Sequence, residues 1–311
     1  MQIGAHLPLV DFGGEPRTPE LLTSYAARAA ELGFDMVSGN DHLVFPAPWL
    51  DGSTALAAVA TAAAPATLAT TVYVPALRHP VVAAKTLTAL DWLASGRLVV
   101  GVGPGSSPLD YAAVGLDFDD RWSLLDEAIG ALRALWRPDG PPFVGRHFST
   151  EGIDLAPAPV QDGGPPIWIG SWGSPAGLRR VARLGDGWLA SAYNIDPPQL
   201  AEAWANLQDV LTRHDRDAAT FPNTVSTFWF HLADDQATAD RVLRERLAPV
   251  VHRPEDVLRA RCGIGSVDSV VDKLAAFRDA GAQRVLLWPV GEEVAQLERF
   301  HAEVWPQLDA S

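Results

Sequence analysis

Short apolar segments alternate with longer segments of helical periodicity along the whole chain, and this alternation limits the fold more than any other feature. The apolar runs predict eight strands, at 2–8, 35–39, 68–74, 97–103, 167–170, 187–191, 224–232 and 283–289. Helical segments follow each of them, at 18–33, 53–64, 80–95, 121–136, 174–185, 197–214, 267–281 and 293–308. Near-continuous apolar strands are typical of a parallel sheet buried on both faces. Eight such units in 311 residues predict an α/β fold, a (β/α)₈ TIM barrel forming one domain over residues 1–311.

Two segments interrupt the alternation. A Pro/Gly-rich segment at 137–166 precedes the fifth strand and is predicted to carry a small surface hairpin. A polar helical segment near 235–260 follows the seventh strand. We therefore expect the barrel to have insertions after strands 4 and 7.

Composition excludes several classes of protein. The net charge of −14 disfavours a nucleic-acid surface, although backbone N–H groups at a helix start can still bind an anion. The single cysteine, Cys262, excludes an internal disulfide and a cysteine-based metal cluster, so we expect no metal and a reducing, cytoplasmic location. Because the sequence has neither an 18-residue apolar run nor a signal-peptide pattern at its start, we expect no membrane association.

Polar residues at the carboxyl ends of the predicted strands are the candidate site, since TIM barrels carry their chemistry there. Asn40, Asp41 and His42 follow the second strand. They fit a turn in which Asp41 caps a backbone N–H group. They equally fit a site where a carboxylate and an imidazole orient a cofactor and exchange protons.

Two glycine-rich segments follow later strands. "GVGPG" (101–105) is compatible with a tight turn or with close approach of Gly103 and Gly105 to a flat ring or a phosphate. "GSWGSP" (170–175) ends a strand and opens a helix at Ser174, so the N–H groups of 171–173 are predicted to be free to bind a phosphate. The three arginines on that helix, at 179, 180 and 183, fit either the rim of this site or a solvated helix face.

The motifs together resemble the bacterial luciferase-like oxidoreductases, in the branch that uses the deazaflavin coenzyme F420. The resemblance covers nearly the whole chain. It is carried by "AAELGFDMV" (29–37), "DHLVFP" (41–46), "RHPVVAAKTLTALDWLASGRLVVGVGPG" (78–105), "LDEAIGALRALW" (125–136), "PPIWIGSWGSPAGLRRVARLGDGW" (165–188) and "GSVDSVVDKLAAFRDAGAQRVLLWP" (265–289).

The resemblance implies a TIM barrel with the cofactor at its carboxyl-end mouth. It implies that Asp41 and His42 lie beside the ring, with His42 as the catalytic residue. Thr71-Val72 matches a position where relatives carry a non-prolyl cis peptide against the ring. The segment of Gly170, Ser171, Trp172 and Gly173 matches the one that holds the cofactor phosphate.

The sequence departs from the family pattern at three positions. Ser106 stands where some relatives have an acidic proton donor, Trp49 lies farther from the Asp-His pair than a family tryptophan, and Trp172 is bulky where small residues are usual. The substrate-pocket candidates are His6, Trp49, Ser106, Trp188 and Trp288.

The resulting hypothesis is an F420-dependent oxidoreductase that transfers a hydride to or from a small organic molecule. One alternative is an FMN-dependent monooxygenase that uses reduced flavin and dioxygen. Another is an F420 carrier without turnover, which the serine at position 106 keeps open. Family resemblance also leads us to expect a homodimer.

Overall fold

A closed barrel of parallel strands forms the centre of the computed structural model, which describes residues 1–13 and 17–310. Positions 14–16 and 311 of the predicted domain lie outside the described residues. The strands are β1 (Gln2–His6), β2 (Met36–Gly39), β3 (Thr67–Tyr73), β4 (Leu98–Val102), β5 (Ile167–Gly170), β6 (Gly187–Ser191), β7 (Asn223–Leu232), β8 (Gly263–Gly265) and β9 (Arg284–Pro289). Eight of them close the ring in the order β1-β2-β3-β4-β5-β6-β7-β9, with β9 pairing back onto β1. The predicted TIM barrel is confirmed.

Helices surround this barrel. They are α1 (Pro19–Glu31), α2 (Gly52–Val59), α3 (Pro80–Leu93), α4 (Pro108–Ala113), α5 (Arg121–Leu135), α6 (Pro175–Leu184), α7 (Pro197–Arg213), α8 (Gln236–Val242), α9 (Ala248–Val251), α10 (Glu255–Arg261), α11 (Val267–Asp279), α12 (Glu293–Arg299) and α13 (Trp305–Ala310). Single π-helical turns join α8 to α9 and α12 to α13.

Local signals place the helix starts. Thr18 accepts a hydrogen bond from the Leu21 N–H group and Pro19 occupies the first turn, so α1 begins where a capping residue and a proline predict it. Asp196 and Gln199 form a reciprocal capping box at the start of α7.

Both predicted insertions are present. The one after β4 is the segment 137–166, where Val144 and Ser149 form an antiparallel bridge, and the short helix α4, which the sequence did not predict, precedes α5. The one after β7 contains α8, α9 and α10, and it ends in a strand that the sequence analysis did not predict. This strand, β8, pairs with the last three residues of β7 outside the ring. Its sequence, Gly-Ile-Gly, is too short to show a periodicity.

A second hydrophobic cluster, separate from the main core, covers one side of the carboxyl ends of the barrel strands. Apolar side chains of the insertion after β7, among them Val242, Leu247 and Leu258, pack in it with Trp229 and Trp288. The strand ends on that side are therefore closed by apolar residues.

Asp91 connects the segment 137–166 to the barrel. Its fully buried carboxylate, on α3, accepts the N–H groups of Val160 (2.8 Å) and Gln161 (3.1 Å) and the Gln161 side-chain amide (2.7 Å). Removing one acceptor oxygen leaves a buried donor without a partner, which is costly.

We expect Asp91→Asn to lower the free energy of unfolding by about 1–3 kcal/mol, because an asparagine cannot accept all three hydrogen bonds. Urea denaturation followed by circular dichroism measures this change. Asp139→Asn, at an exposed position on the same segment, is the control and should have little effect. Equal stability of the two variants would show that Asp91 does not hold the segment.

Candidate active site at the barrel mouth

His42 and Asp110 form the central polar contact at the carboxyl ends of the strands, which we call the barrel mouth. His42 follows β2 and Asp110 lies on α4 after β4. The Nδ1 atom of His42 is 2.9 Å from one Asp110 carboxylate oxygen. The other oxygen accepts the N–H groups of Leu43 (3.1 Å) and Val44 (2.7 Å). One buried carboxylate thus positions the histidine and the backbone after it.

The charge of Asp110 determines which ring nitrogen of His42 carries the proton in their contact. Burial by itself raises the pKa of this carboxyl, but the hydrogen bonds from His42 and from the Val44 N–H group outweigh burial and lower the pKa. An ionised carboxylate has no proton to give, so Nδ1 of His42 is the donor in this contact. In the neutral imidazole Nε2 then carries the free lone pair, which suits it to accept a proton.

Aromatic rings extend from His42 across the mouth. The His42 ring lies 4.7 Å from the Trp49 ring and 4.9 Å from the Phe45 ring. Trp49 in turn contacts Trp288, at a centroid distance of 5.8 Å. Trp288 stacks on His6 at 3.7 Å with an interplanar angle of 16°. The structure therefore brings three of the predicted pocket residues, His6, Trp49 and Trp288, into one group with His42.

His6 is a neutral acceptor at the base of this group. Its Nδ1 lies 2.7 Å from the Leu7 carbonyl oxygen, which can only accept, so Nδ1 carries the proton. Burial lowers the pKa of His6 to about 3. Its Nε2 is buried without a hydrogen-bond partner. The Asn40 side chain also interacts with the His6 ring, and its Oδ1 is likewise buried and unpaired.

Asp41 forms its hydrogen bonds with a guanidinium and a backbone N–H group. Both its carboxylate oxygens accept from Arg78, at 2.5 and 2.8 Å, and one also accepts the Val74 N–H group at 3.2 Å. Arg78 also pairs with Asp51. The capping interpretation of Asp41 thus describes its contacts in this structure, and its predicted cofactor contact stays a prediction.

Glycines surround Val72 where β3, β4 and β5 end. The Thr71-Val72 peptide bond is cis, as the family resemblance implied. A Cβ atom added at Gly103 would lie 2.8 Å from Val72, and one at Gly170 would lie 3.0 Å from it. Gly105 has a φ of +72°, which favours glycine. We call Val72, Gly103 and Gly170 together the glycine floor. Because two of these three residues have no side chain, Val72 has no neighbouring side chain on those two sides.

The predicted phosphate segment is partly occupied by its own hydrogen bonds. The Ser171 N–H group donates to the Leu189 carbonyl at 3.0 Å, and the Gly173 N–H group donates to the Ser171 hydroxyl at 3.3 Å. The prediction that all three N–H groups of 171–173 are free was therefore wrong for two of them. Ser174 caps α6 as predicted, and the Trp172 side chain is 60% exposed above the segment.

Other predicted residues lie outside the group around His42. Trp188 is buried against Trp204 and donates to the Ser171 carbonyl at 3.0 Å, so it contacts the predicted phosphate segment. Ser106 is exposed. Arg180 and Arg183 both pair with Asp126.

Three residues of the site were missed by sequence reasoning. Asp110 had a local signal, because Ser107 and Pro108 make a helix start with an acidic residue in its first turn. Trp229, which contacts Trp288 at 5.6 Å, was assigned with most tryptophans to the core. Arg78 was taken as part of a turn, and the turn is present as a 3₁₀ helix at Pro75–Arg78.

Within residues 1–13 and 17–310, no group of three His, Cys, Asp or Glu side chains is placed to hold a metal ion. No helix in these ranges is long and apolar enough to cross a membrane.

Comparison with known proteins identifies the family to which the chain belongs. The profile described as luciferase-like monooxygenase matches residues 11–252. The F420-dependent hydroxymycolic acid dehydrogenase of Mycobacterium tuberculosis (strain ATCC 25618 / H37Rv) is 28% identical over 312 residues, covering 92% of this chain and 84% of the relative. The F420-dependent glucose-6-phosphate dehydrogenase of Beutenbergia cavernae (strain ATCC BAA-8 / DSM 12333 / CCUG 43141 / JCM 11478 / NBRC 16432 / NCIMB 13614 / HKI 0122) is 29% identical over 330 residues, covering 95% of each chain.

Structural comparison agrees. A solved F420-dependent secondary alcohol dehydrogenase, in complex with an F420-acetone adduct, superposes with a TM-score of 0.84 at 20% identity, covering 99% of this chain and 98% of that one. At that identity the likeness shows the fold alone. Since the family profile spans well over half of the sequence, the chain belongs to the luciferase-like monooxygenase family.

Proposed function

We propose that this protein is an oxidoreductase that binds the deazaflavin coenzyme F420 and passes a hydride between it and an organic substrate. The observation that carries the proposal is a histidine held by a buried carboxylate, at the same barrel mouth as a floor of glycines. The relatives named above, which are called F420-dependent dehydrogenases, support the choice of cofactor.

The residues present fit a flat ring. Gly103 and Gly170 keep side chains away from Val72, because a Cβ atom at Gly103 would collide with it and one at Gly170 would be in tight contact with it. When bound there, the deazaflavin would supply the carbon that accepts or returns a hydride. The segment from Gly170 to Gly173 and the start of α6 would hold its phosphate, with fewer free N–H groups than the sequence predicts.

The chain itself handles the proton. When an alcohol is oxidised, Nε2 of His42 would accept the hydroxyl proton as the hydride leaves the carbon. Asp110 would keep Nε2 facing the substrate and stabilise the imidazolium that forms. In the reverse direction the same imidazolium would return the proton to the carbonyl oxygen.

Asp110 also bears on the carrier alternative. Ser106 lacks the acidic group that some relatives have, but the carboxylate of Asp110, in the first turn of the following helix α4, contacts His42 directly. A protein that only carried the cofactor would need no such pair. The geometry therefore favours turnover.

The family description favours a second candidate function, that of an FMN-dependent monooxygenase. Titration of the purified protein with F420 and, separately, with FMN distinguishes the two, with tryptophan fluorescence and the cofactor spectrum as readouts. We expect saturable binding of F420 and weaker binding of FMN. Preferred binding of FMN would favour the monooxygenase function instead. Binding of neither cofactor would contradict the proposed cofactor site.

We expect His42→Ala to lower the turnover number by about 10²–10⁴-fold, because the variant loses the proton acceptor. F420 affinity and the melting temperature should change little. Steady-state kinetics with F420 and fluorescence titration measure the two effects. His214→Ala, at an exposed position, is the control. Loss of folding in the His42 variant alone would mean that this histidine is structural.

We expect Asp110→Asn to lower turnover by between about 10-fold and 10⁴-fold, the range seen when the carboxylate partner of a functional histidine is removed. The amide no longer specifies which nitrogen of His42 carries the proton. Kinetics should show the loss in the turnover number, with F420 affinity unchanged. Asp119→Asn, whose side chain is 97% exposed, is the control. A folded Asp110 variant with full turnover would contradict the positioning role.

A further inference from the structure

The segment that connects β2 to α2, residues 40–51, is a loop whose two ends meet, and we call it the mouth loop. It carries His42 and Trp49 between those ends. A Cβ atom added at Gly52 would lie 2.1 Å from the Asn40 carbonyl oxygen, so the backbone at the two ends is in direct contact. A residue with a side chain at position 52 would force the ends apart.

Arg78 joins the two ends of the mouth loop by hydrogen bonds. Its guanidinium donates to both carboxylate oxygens of Asp41, at 2.5 and 2.8 Å, and to one oxygen of Asp51. The side chain of Arg78 is 15% exposed and that of Asp41 is 3% exposed. A planar guanidinium can bind two carboxylates at once, and solvent screens such a buried contact little. We call Arg78, Asp41 and Asp51 together the arginine clamp.

The members of the arginine clamp are also tied to the barrel. Arg78 ends the 3₁₀ helix that follows β3, and Asp41 accepts the Val74 N–H group at 3.2 Å. The other oxygen of Asp51 accepts the Thr54 N–H group at 2.8 Å and caps α2. Because Asp51 is fixed at the helix start, it orients the guanidinium toward Asp41.

The arginine clamp fixes the backbone immediately before His42. Asp41 is the preceding residue, whereas the N–H groups of Leu43 and Val44, which follow His42, donate to Asp110. His42 therefore lies between two anchored points, and its ring reaches the Asp110 carboxylate at 2.9 Å. A displacement of about 1 Å at a reacting group can lower a rate about 100-fold, so the anchor before His42 matters as well as the one after it.

We infer that Arg78 is a positioning residue of the active site. By bridging the two ends of the mouth loop it keeps His42 in its contact with Asp110. The guanidinium donates to the two aspartates, so it acts on His42 through the backbone of the loop. The consequence for turnover rests on the proposed function. The position of the His42 ring does not, and it can be measured without a cofactor.

The first test variant is Arg78→Lys, which keeps the positive charge. A lysine ammonium lacks the planar fork that binds both aspartates, so the clamp opens. Arg284→Lys is the matched control, because Arg284 is 14% exposed and pairs with Asp35. It lies at the first residue of β9, at the end of the barrel opposite the mouth.

The second test variant is Asp51→Asn, which separates the clamp from the helix cap. Asparagine caps a helix about as well as aspartate and keeps an oxygen for the Thr54 N–H group, but the charged acceptor for Arg78 is lost. Asp235→Asn is the matched control, since Asp235 is the exposed capping residue of α8.

The readout is ¹⁵N NMR of the imidazole rings in the full-length protein without cofactor, with His42→Ala used to assign the His42 signals. In the unmodified protein we expect the His42 proton on Nδ1, toward Asp110. In Arg78→Lys the His42 signals should shift toward those of the exposed His214, with a smaller shift in Asp51→Asn, because a released ring exchanges between tautomers. Both controls should leave the signals in place.

In the kinetic assay used for His42→Ala, turnover of Arg78→Lys should fall by about 10- to 100-fold. Unchanged His42 signals in both clamp variants would overturn the inference even if the melting temperature falls, because Arg78 would then only stabilise the fold. If Arg78→Lys does not fold, the shift in Asp51→Asn decides, since that variant keeps the cap of α2.

The two proposals fail in different ways. If F420 does not bind while opening the clamp shifts the His42 signals, the proposed cofactor is wrong and the positioning role of Arg78 stands. If F420 binds and neither clamp variant shifts the His42 signals, the positioning role is wrong and the cofactor proposal stands.

Discussion

Closure of the parallel sheet is the constraint on which the rest of the structure depends. Because β9 pairs with both β1 and β7, every barrel strand has a neighbour on each side and its carboxyl end reaches the same face. The histidine after β2, the glycines at the ends of β4 and β5 and the tryptophan in β9 come together for this reason alone. No single helix or loop contains the site.

Much of the fold can be predicted from the sequence, because its signals are local. The barrel strands are buried on both faces and read as apolar runs, and capping residues with prolines mark the helix starts. The helical periodicity over 293–308 also holds, although the structure divides that segment into α12, a π-helical turn and α13. The strand β8 could not be predicted, since its three residues depend on pairing with β7 rather than on any pattern of their own.

The site is predictable only in part, because its decisive contacts join distant parts of the chain. His42 and the glycines stand at strand ends, where the barrel rule directs attention. Asp110 is 68 positions from His42, and neither segment contains a sequence pattern that predicts their pairing. Trp288 could be selected as a strand-end residue, whereas Trp229 lies within β7 and is indistinguishable from core tryptophans until the ring contacts are known. The prediction of free N–H groups at 171–173 was wrong for a related reason. Two of these groups donate hydrogen bonds, one to a carbonyl of a neighbouring strand and one to a serine hydroxyl.

The short segment from Gly105 to Asp110, a turn and the first residues of α4, sets a condition on how this protein can vary. Its residues Ser106, Pro108 and Leu109 are exposed. Yet this segment connects the glycine floor to the carboxylate that holds the histidine. Substitutions at the exposed positions leave this spacing unchanged, whereas inserting or deleting a single residue ahead of α4 would displace Asp110 from His42. For this segment the number of residues matters more to the His42 contact than the identity of the exposed ones.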